Sequence, residues 1–510
     1  MSSPLPAGLD WESLAGTLEK LADEREHLTG LPVELRRRLL IAAGRLSRPD
    51  RDGMVRMAKA FRRQERAEAK AQDKALLETS GLRTQRKAEV YTPLWLEPPK
   101  EEPAAEAAAP ELNDARACYV CKQPFRTVHF FYDSMCGPCG DFNYEKRRQT
   151  ADLRGKVALV TGGRVKIGYQ ASLILLRAGA RVIVTTRFAN DAAHRYALEP
   201  DFESFRDRLQ VYGLDLRHSP SVELFARSLC ERETHLDVII NNACQTVRRP
   251  SGFYEHLLAH EEAAPAALPA HERAVVADYL ELKAALQKGA LGVGAGEGLM
   301  VMGGAPGAGL WNAPRLSQLR YIDDDFESGR QVFPDGRYDE DRQQVDLRDV
   351  NSWRLTLAEV TTPELLEVHL VNAVAPYILN ARLKPLLLRG NTARDRHVVN
   401  VSAMEGQFYR AKKTDRHPHT NMAKAALNMM TRTSAPDYAK DGLWMNAVDT
   451  GWVTDEDPAV HAARKAELGF QPPLDIIDGA ARIVDPYLVG QLTGHHAMGQ
   501  FLKDYKPAPW

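Results

Sequence analysis

The chain has 510 residues, of which 44% are hydrophobic and 26% are charged, and its formal net charge is −1. This length exceeds what one hydrophobic core usually serves, so we expect at least two folding units. A net charge near zero argues against a protein whose whole surface binds nucleic acid or an anionic membrane. No apolar run is long enough for a membrane span and the first residues lack a secretory signal, so we expect no membrane contact and a cytoplasmic location.

Residues 1–96 are predicted to form a helical region. Apolar residues recur there at helical spacing, with capping residues at the ends, and predict three helices over about 10–30, 32–44 and 52–79. Between Leu31 and Lys87, sixteen Lys and Arg stand against seven Asp and Glu. This excess indicates either a surface for a macromolecular partner, such as nucleic acid or an acidic protein, or a solvated helix face. Residues 97–112, rich in Pro, Ala and Glu, are predicted to be a linker.

Four of the six cysteines form two CxxC pairs within residues 113–150, a predicted zinc ribbon: Cys118, Cys121, Cys136 and Cys139. Each pair can place two thiolates on one turn, and two facing turns give the tetrahedral four-sulfur site that Zn²⁺ accepts. Two disulfides or four free thiols are the alternatives. Since four protein ligands leave no open coordination position, the zinc is predicted to be structural, and the ribbon is a second candidate surface for a macromolecular partner.

Residues 151–510 begin with the pattern of a nucleotide-binding unit. The segment LRGKVALVTGGRVKIGYQASLILLRAGARVIVTTR predicts a strand, a tight glycine turn, an amphipathic helix and a second strand. Backbone N–H groups at such a helix N-terminus can bind phosphate. The segment resembles the short-chain dehydrogenase/reductase family, whose TGxxxGxG turn corresponds here to Thr161, Gly162, Gly163, Arg164, Val165, Lys166, Ile167 and Gly168. Lys166 replaces the middle glycine of the motif.

Further motifs of this family follow in the same order, over roughly Asp152 to Tyr254 and from Asn351 onward. The resemblance implies cofactor contacts at Asp215, Leu216, Asn241, Asn242, Ala243, Lys424, Gly451 and Thr454. It implies catalytic roles for Asn372, Ser402 and Lys424. The fold that it implies is an α/β fold with a Rossmann-type, doubly wound parallel sheet, and the implied activity is hydride transfer between NAD(P)(H) and an unidentified small-molecule substrate.

Charge at the end of the second strand bears on the choice of cofactor. Family members that prefer NAD end this strand with an acid that accepts a hydrogen bond from the ribose 2′-hydroxyl. Here the strand ends with Thr185, Thr186 and Arg187, and Arg164 of the glycine turn is a second cation. These cations favour a 2′-phosphate, so the sequence predicts NADP(H) rather than NAD(H). The alternative is that Arg187 is an ordinary surface arginine.

The family's proton-exchanging tyrosine is absent, because the position four residues before Lys424 holds Thr420. An aliphatic hydroxyl is too weak an acid to take its place directly. One interpretation is that another residue acts, with His419 as the first candidate and Tyr409 as the second; His417 lies in the same stretch. The other interpretations are hydride transfer that needs little acid catalysis, and an NADP(H)-binding scaffold or sensor that docks on protein or nucleic acid without turnover. A homo-oligomer is a further expectation.

About a hundred residues, 245–350, separate the fourth strand from the helix that carries Asn372, where the family needs only a short connection. Because the carboxyl ends of the strands face the cofactor, we expect this insertion to emerge beside the active site. A substrate lid or specificity wall is one interpretation, and a partner-binding insertion is the other. Its run GALGVGAGEGLMVMGGAPGAG lacks a strand–turn–helix frame and is predicted to be a flexible loop.

Overall fold

The computed structural model describes residues 10–86, 110–287, 307–326, 331–339, 342–409, 413–454 and 456–510. The chain divides into two compact units, Met1–Asp73 and Lys74–Trp510. Within the described ranges, no helix combines the length and the apolar character that a membrane crossing requires.

The N-terminal region is helical, as the sequence predicts. Its helices are α1 (Trp11–Asp23), α2 (Val33–Ser47), α3 (Arg51–Leu77) and, within the second unit, α4 (Gly81–Arg86). The Asp10 carboxylate caps α1 by accepting hydrogen bonds from the backbone of Glu12 and Ser13. Every described residue of the first unit is at least partly exposed, including Trp11 and Phe61. The predicted linker lies mostly outside the described residues.

The cysteine module packs into the same unit as the large sheet. It consists of an antiparallel hairpin, β1 (Glu111–Ala117) and β2 (Pro124–Thr127), followed by α5 (Gly137–Arg147). Strand β1 begins at Glu111, so the last two residues assigned to the linker belong to a strand. The Arg147 guanidinium donates two hydrogen bonds, of 2.5 and 2.7 Å, to the Asp475 carboxylate, and both side chains are buried. This contact ties the module to the C-terminal part of the α/β domain.

The remaining elements, in chain order, are β3 (Val157–Thr161), α6 (Lys166–Arg177), β4 (Arg181–Thr186), α7 (Ala189–Ala197), β5 (Leu209–Gly213), α8 (Ser219–Arg232), β6 (Val238–Asn241), α9 (Glu255–Glu261), α10 (Ala270–Val275), α11 (Ala277–Gln287), α12 (Ala308–Trp311), α13 (Ala313–Leu316), α14 (Thr362–His369), α15 (Ala375–Leu388), β7 (Arg396–Ser402), α16 (Pro418–Lys440), β8 (Leu443–Asp449), α17 (Ala459–Glu467), α18 (Ile476–Thr493), β9 (Phe501–Lys503) and β10 (Lys506–Ala508).

The large sheet has eight strands in the order β10-β9-β8-β7-β6-β3-β4-β5, all parallel except β10. Its central strands are fully buried runs of mostly apolar and β-branched residues, as expected for strands covered by helices on both faces. Helix α6 packs against α18, and α8 packs against α15. The strand order reverses between β3 and β6, which places a binding crevice at their carboxyl ends. The predicted doubly wound parallel sheet is therefore confirmed.

The described part of the insertion is a set of short helices that extends the core beyond the edge strand β5. The hydroxyl of Tyr279 on α11 donates a hydrogen bond to the carbonyl of Leu310 on α12. The same ring lies against Gly213 of β5, where a Cβ would meet the Tyr279 hydroxyl at 2.4 Å. Most of the glycine-rich run lies outside the described residues. Other parts of the insertion reach the crevice, as described below.

Candidate active site

A cavity of about 1360 Å³ opens at the carboxyl ends of the parallel strands. Residues that end or follow β3, β4, β5, β6, β7 and β8 line it, together with parts of the insertion and of the cysteine module. Ligand sites usually measure roughly 300–1,000 Å³. The cavity therefore has room for a dinucleotide and a second molecule.

The turn after β3 has the tight backbone that phosphate binding requires. Gly162 has a φ of +70°, and a Cβ there would lie 2.8 Å from the Cα of Ala243. A Cβ on Gly168 would lie 2.4 Å from the Gly162 carbonyl oxygen. Lys166, the first residue of α6, has a φ of +55°, in the left-handed region that glycine favours. The turn thus presents the start of α6 to the cavity, and Arg164 and Ile167 line the cavity beside Lys166.

The NNAC segment after β6 closes the other side of this turn. The Asn242 amide donates to the carbonyls of Thr161 and Gly162 at 3.1 and 3.2 Å, and the Thr161 hydroxyl accepts from the backbone N–H of Ala243 at 3.0 Å. Asn242 and Ala243 line the cavity. The side chain of Asn241 instead donates to two further buried asparagines, so it braces the sheet rather than facing the cavity.

Arginines gather where β4 ends. The Arg187 guanidinium donates to the Tyr254 hydroxyl at 2.7 Å and lies 4.5 Å from the centre of that ring. Arg164 pairs with Asp191 at 2.7 Å, and Arg249 of the insertion also lines this end of the cavity. Burial raises the pKa of the Tyr254 hydroxyl, but the charges of Arg187, Arg249 and Arg164 outweigh it and leave this pKa below its ordinary value. The arginine charges therefore outweigh burial at the Tyr254 hydroxyl, although Arg164 and Arg249 are themselves paired with Asp191 and Asp346.

Asp215 and Leu216 line the cavity at the end of β5, as the resemblance implies. Arg217 donates to the Asp215 carboxylate at 2.7 Å and to Glu367 at 2.9 Å. Burial raises the pKa of Asp215, but Arg217 lowers it more, so the pKa lies below its usual value. The Asp215 side chain is therefore ionised and held by a neighbouring guanidinium.

The three residues with implied catalytic roles lie near the carboxyl ends of β6 and β7. Ser402 ends β7 and donates to Asn428 Oδ1 at 2.6 Å, and Lys424 Nζ donates to the Val401 carbonyl at 2.7 Å. Both residues line the cavity. Asn372 accepts from the backbone N–H of Gln245 at 2.8 Å and donates to its carbonyl at 3.1 Å. It lies in a π-helical turn, Leu370–Val374, a distortion often found at functional sites.

The residue in the tyrosine position and the two candidates for its replacement do not line the cavity in the described part of the chain. Thr420 and His419 are each 1% exposed, and His419 Nε2 lies 3.6 Å from a carboxylate oxygen of Glu364 on α14. Tyr409 is 77% exposed. His417 lines the cavity together with Asn421 and Lys424. Helical spacing could not predict which of these side chains faces the cavity, because His417 precedes the first turn of α16.

The loop after β8 forms the wall beyond Ser402. Gly451 has a φ of +78°, and the Thr454 hydroxyl donates to Glu456 at 2.7 Å rather than standing free. The backbone N–H of Trp452 donates to the Tyr119 hydroxyl at 3.0 Å. Tyr119 lies between Cys118 and Cys121 in the sequence, so the cysteine module supports this loop.

Several lining residues have no motif that could have identified them. Arg249 and Tyr254 come from the insertion, Trp353 from the segment just after it, Tyr119 from the cysteine module, and Glu456 from the loop after β8. Each reaches the cavity through tertiary packing between segments distant in sequence. Only the local positive charge around Arg249 could have suggested one of them.

The four module cysteines converge on one point. Their sulfur atoms all lie within 4.8 Å of one another, and Cys121 Sγ lies 3.7 Å from Cys136 Sγ. Zn–S bonds of about 2.3 Å in a tetrahedron place the sulfurs roughly 3.8 Å apart. The donor set and its spacing therefore fit a four-thiolate metal site.

Comparison with known proteins gives a family match and one long alignment. The model of the short chain dehydrogenase family matches residues 156–259. An uncharacterised protein, R665, of Acanthamoeba polyphaga mimivirus is 32% identical over 383 residues, which cover 73% of this chain and 71% of that protein.

Other relatives match over shorter stretches. Human retinol dehydrogenase 11 is 33% identical over 112 residues, 21% of this chain and 35% of that protein. Bovine dehydrogenase/reductase SDR family member 13 is 36% identical over 107 residues, 20% of this chain and 28% of that protein. The alignments thus span about a third or less of these two relatives.

Solved structures also resemble this chain. The RhlG/NADP complex of Pseudomonas aeruginosa has a TM-score of 0.41 and 18% identity, covering 69% of this chain and 95% of that one. An NADPH-bound carbonyl reductase from chicken fatty liver has a TM-score of 0.42 and 17% identity, covering 72% and 98%. The match to the family model and the order of the motifs around the cavity assign residues 156–259 of the chain to the short-chain dehydrogenase/reductase family.

Proposed function

We propose that the protein is an NADP(H)-dependent oxidoreductase that transfers a hydride to or from a small-molecule carbonyl or alcohol. The observation that carries the proposal is a single cavity with cationic side chains for a phosphate at one end and the family's catalytic residues at the other. Arginines surround the end of β4, and Ser402 and Lys424 lie at the end of β7 and on α16.

The adenosine end fits a 2′-phosphate better than a free ribose hydroxyl. Strand β4 ends at Thr186, and Arg187 follows it where an acid would favour NAD. Arg187 and Arg249 line the cavity beside Tyr254, whose lowered pKa reflects their charge. A phosphate carries about −1.5 to −2 charges and forms charge-assisted hydrogen bonds with guanidinium groups. Both arginines would therefore stabilise the bound phosphate.

The bound nicotinamide would supply or accept the hydride, and the chain would place the substrate against it. In this proposal Lys424 holds the ribose, Ser402 orients the substrate oxygen, and Thr454 contacts the carboxamide. Asn372 holds the Gln245 backbone and positions the wall that follows β6. Each role follows the family resemblance, applied to residues whose positions are described above.

Cofactor titration with a matched surface variant tests the proposal. Binding of NADPH and NADH to the full chain would be followed by tryptophan fluorescence. We expect tighter binding of NADPH, and we expect Arg187→Asp to weaken NADPH binding about tenfold to a hundredfold, since a charge-assisted hydrogen bond contributes roughly 1.5–3 kcal/mol. Arg206→Asp is the control, because Arg206 is a half-exposed residue outside the cavity lining. Equal affinities, or an unchanged preference in Arg187→Asp, would contradict the proposal.

We propose in addition that Cys118, Cys121, Cys136 and Cys139 hold a structural zinc ion. The support is their convergence and the absence of an open coordination position. Elemental analysis of protein purified under reducing conditions is expected to give about one zinc per chain. Cys136→Ser should lower the thermal unfolding midpoint, whereas Cys230→Ser, outside the cluster, is the matched control. Protein with no zinc, or equal midpoints for the two variants, would contradict a structural zinc.

A further inference from the structure

His417 occupies an unusual backbone position at the entrance to α16. It is the residue before the first turn, with φ of 42° and ψ of 48°, in the left-handed region. Its backbone N–H donates to the Leu355 carbonyl at 2.8 Å. Left-handed backbone costs roughly 1–2 kcal/mol for a residue other than glycine. The surroundings therefore hold this residue in a conformation that histidine alone would avoid.

The imidazole is held by the segment that follows the insertion. The ring of Trp353 stacks on it with a centroid distance of 3.9 Å and an angle of 9°. His417 is only 8% exposed, yet it lines the cavity beside Asn421 and Lys424. Its Nδ1 atom is buried and has no hydrogen-bond partner among the described residues. The stacking on Trp353 and the left-handed backbone therefore fix the orientation of this imidazole at the cavity wall.

Its environment keeps this imidazole neutral. Burial, together with the charges of His419 on α16 and Lys413 in the preceding segment, lowers the pKa of His417 to about 4. The hydrogen bond with Asn421 acts in the opposite direction but does not outweigh them. A neutral imidazole donates one N–H and can polarise a carbonyl oxygen, as in triosephosphate isomerase.

We propose that His417 takes over part of the role of the missing tyrosine, donating a hydrogen bond from its neutral imidazole to the substrate oxygen. This inference rests on the proposed function. In the reducing direction the carbonyl carbon gains the hydride and the C=O π bond becomes a lone pair on oxygen. The imidazole N–H stabilises the developing negative charge through its hydrogen bond, and water supplies the proton that the oxygen takes. The sum is a carbonyl, a hydride and one proton from solvent, giving an alcohol.

The left-handed backbone decides which variants test the proposal. His417→Asn keeps a side chain that tolerates positive φ, and His417→Phe keeps the stacking on Trp353. His419→Gln is the control for the neighbouring imidazole. His419 lies outside the cavity lining, so this variant should keep its activity. Thermal unfolding and NADPH titration of each variant establish that it is folded and binds the cofactor. Activity would be measured as NADPH oxidation with 4-nitrobenzaldehyde, 9,10-phenanthrenequinone and cyclohexanone as probes.

Both His417 variants are expected to bind NADPH as the natural chain does and to lose about a hundredfold in kcat/KM, the usual contribution of one hydrogen-bond donor to a developing oxyanion. Because His417 does not titrate between pH 5.5 and 8, it should cause no change in the kcat/KM of the natural chain over this range. In histidine-labelled protein, the NMR signal that His417→Asn removes identifies His417. Its chemical shifts should remain those of a neutral imidazole over the same pH range.

Three outcomes would overturn the inference. If the natural chain binds no NADPH, the proposed function and this inference both fail. If it binds NADPH and reduces a probe while both His417 variants keep activity within threefold, only the inference fails. Binding of NADPH without reduction of any probe also overturns it, since a residue that stabilises a developing oxyanion requires a reaction.

Discussion

At the glycine turn after β3 the shape of the site comes mainly from backbone, whereas at the substrate end it comes from side chains of distant segments. Gly162 and Gly168 allow close approaches that any Cβ would prevent. At the other end, Trp353 just after the insertion, Tyr119 of the cysteine module and His417 before α16 meet only in the folded chain. Backbone geometry leaves a sequence motif because it requires glycine at fixed positions, while converging side chains leave none.

The largest expected effect tests the backbone end. In Gly168→Ala the new methyl group would meet the Gly162 carbonyl oxygen at 2.4 Å, so either the turn or the start of α6 must shift. We expect NADPH affinity to fall at least tenfold and the free energy of unfolding to fall by about 1–3 kcal/mol. Gly44→Ala is the control, because nothing lies within 4 Å of its Cβ position in α2. NADPH titration and thermal unfolding check this, and equal affinities for both variants would contradict it.

Restoring the family tyrosine tests the substrate end. Thr420 is 1% exposed and does not line the cavity. A phenol in Thr420→Tyr therefore has to enter a filled interior, and we expect the free energy of unfolding to fall by about 1–3 kcal/mol with no gain in NADPH-dependent reduction. Thr414→Tyr, at a residue that does line the cavity, is a matched control for the added volume. An increase of activity in Thr420→Tyr would show that the phenol reaches the substrate after all.

The comparison also explains how far the sequence could predict the site. The glycine turn could be predicted from its strand–turn–helix frame, and the order of the strands, Lys424 and Ser402 from the family resemblance. The choice among His417, His419 and Tyr409 could not, since the segment before α16 has no period that would orient a side chain. The positions of Arg249 and Tyr254 in the cavity could not be predicted either, because they depend on how the insertion packs against the end of β4.

A pH effect is expected at the adenosine end. Glu261 accepts hydrogen bonds from the backbone N–H groups of Asn190 and Asp191 at the start of α7. Burial raises the pKa of this carboxyl to about 7, although those bonds lower it. Because the folded pKa exceeds the usual value of about 4.5, the group contributes stability below that value, and this is lost as the pH rises through 7.

Glu261→Gln removes this titration. We expect the natural chain to lose on the order of 1–2 kcal/mol more of its free energy of unfolding between pH 5 and 8 than the variant does. Urea unfolding at both pH values measures the difference. Glu203→Gln, an exposed carboxyl on the same unit, should behave as the natural chain. Identical pH dependence in Glu261→Gln would show that another group controls stability in this range.

The smallest expected effect concerns Lys166, the one position of the glycine turn where the family motif is broken. Its φ of +55° costs a lysine roughly 1 kcal/mol that a glycine would not lose. The same side chain has a favourable effect, because its charge lowers the pKa of buried Glu456, which burial alone would raise. Lys166→Gly therefore relieves the backbone and removes the charge, and its net effect on stability should be close to zero.

Lys166→Ala separates the two contributions, because it removes the charge and keeps the backbone conformation. We expect Lys166→Gly to be more stable than Lys166→Ala by about 1 kcal/mol. The two variants should bind NADPH equally, and more weakly than the natural chain if the ammonium group contacts a phosphate of the cofactor. Urea unfolding and NADPH titration measure both quantities. An alanine variant as stable as the glycine variant would mean that the turn relaxes out of the left-handed region, and that its shape depends less on backbone than Gly162 and Gly168 indicate.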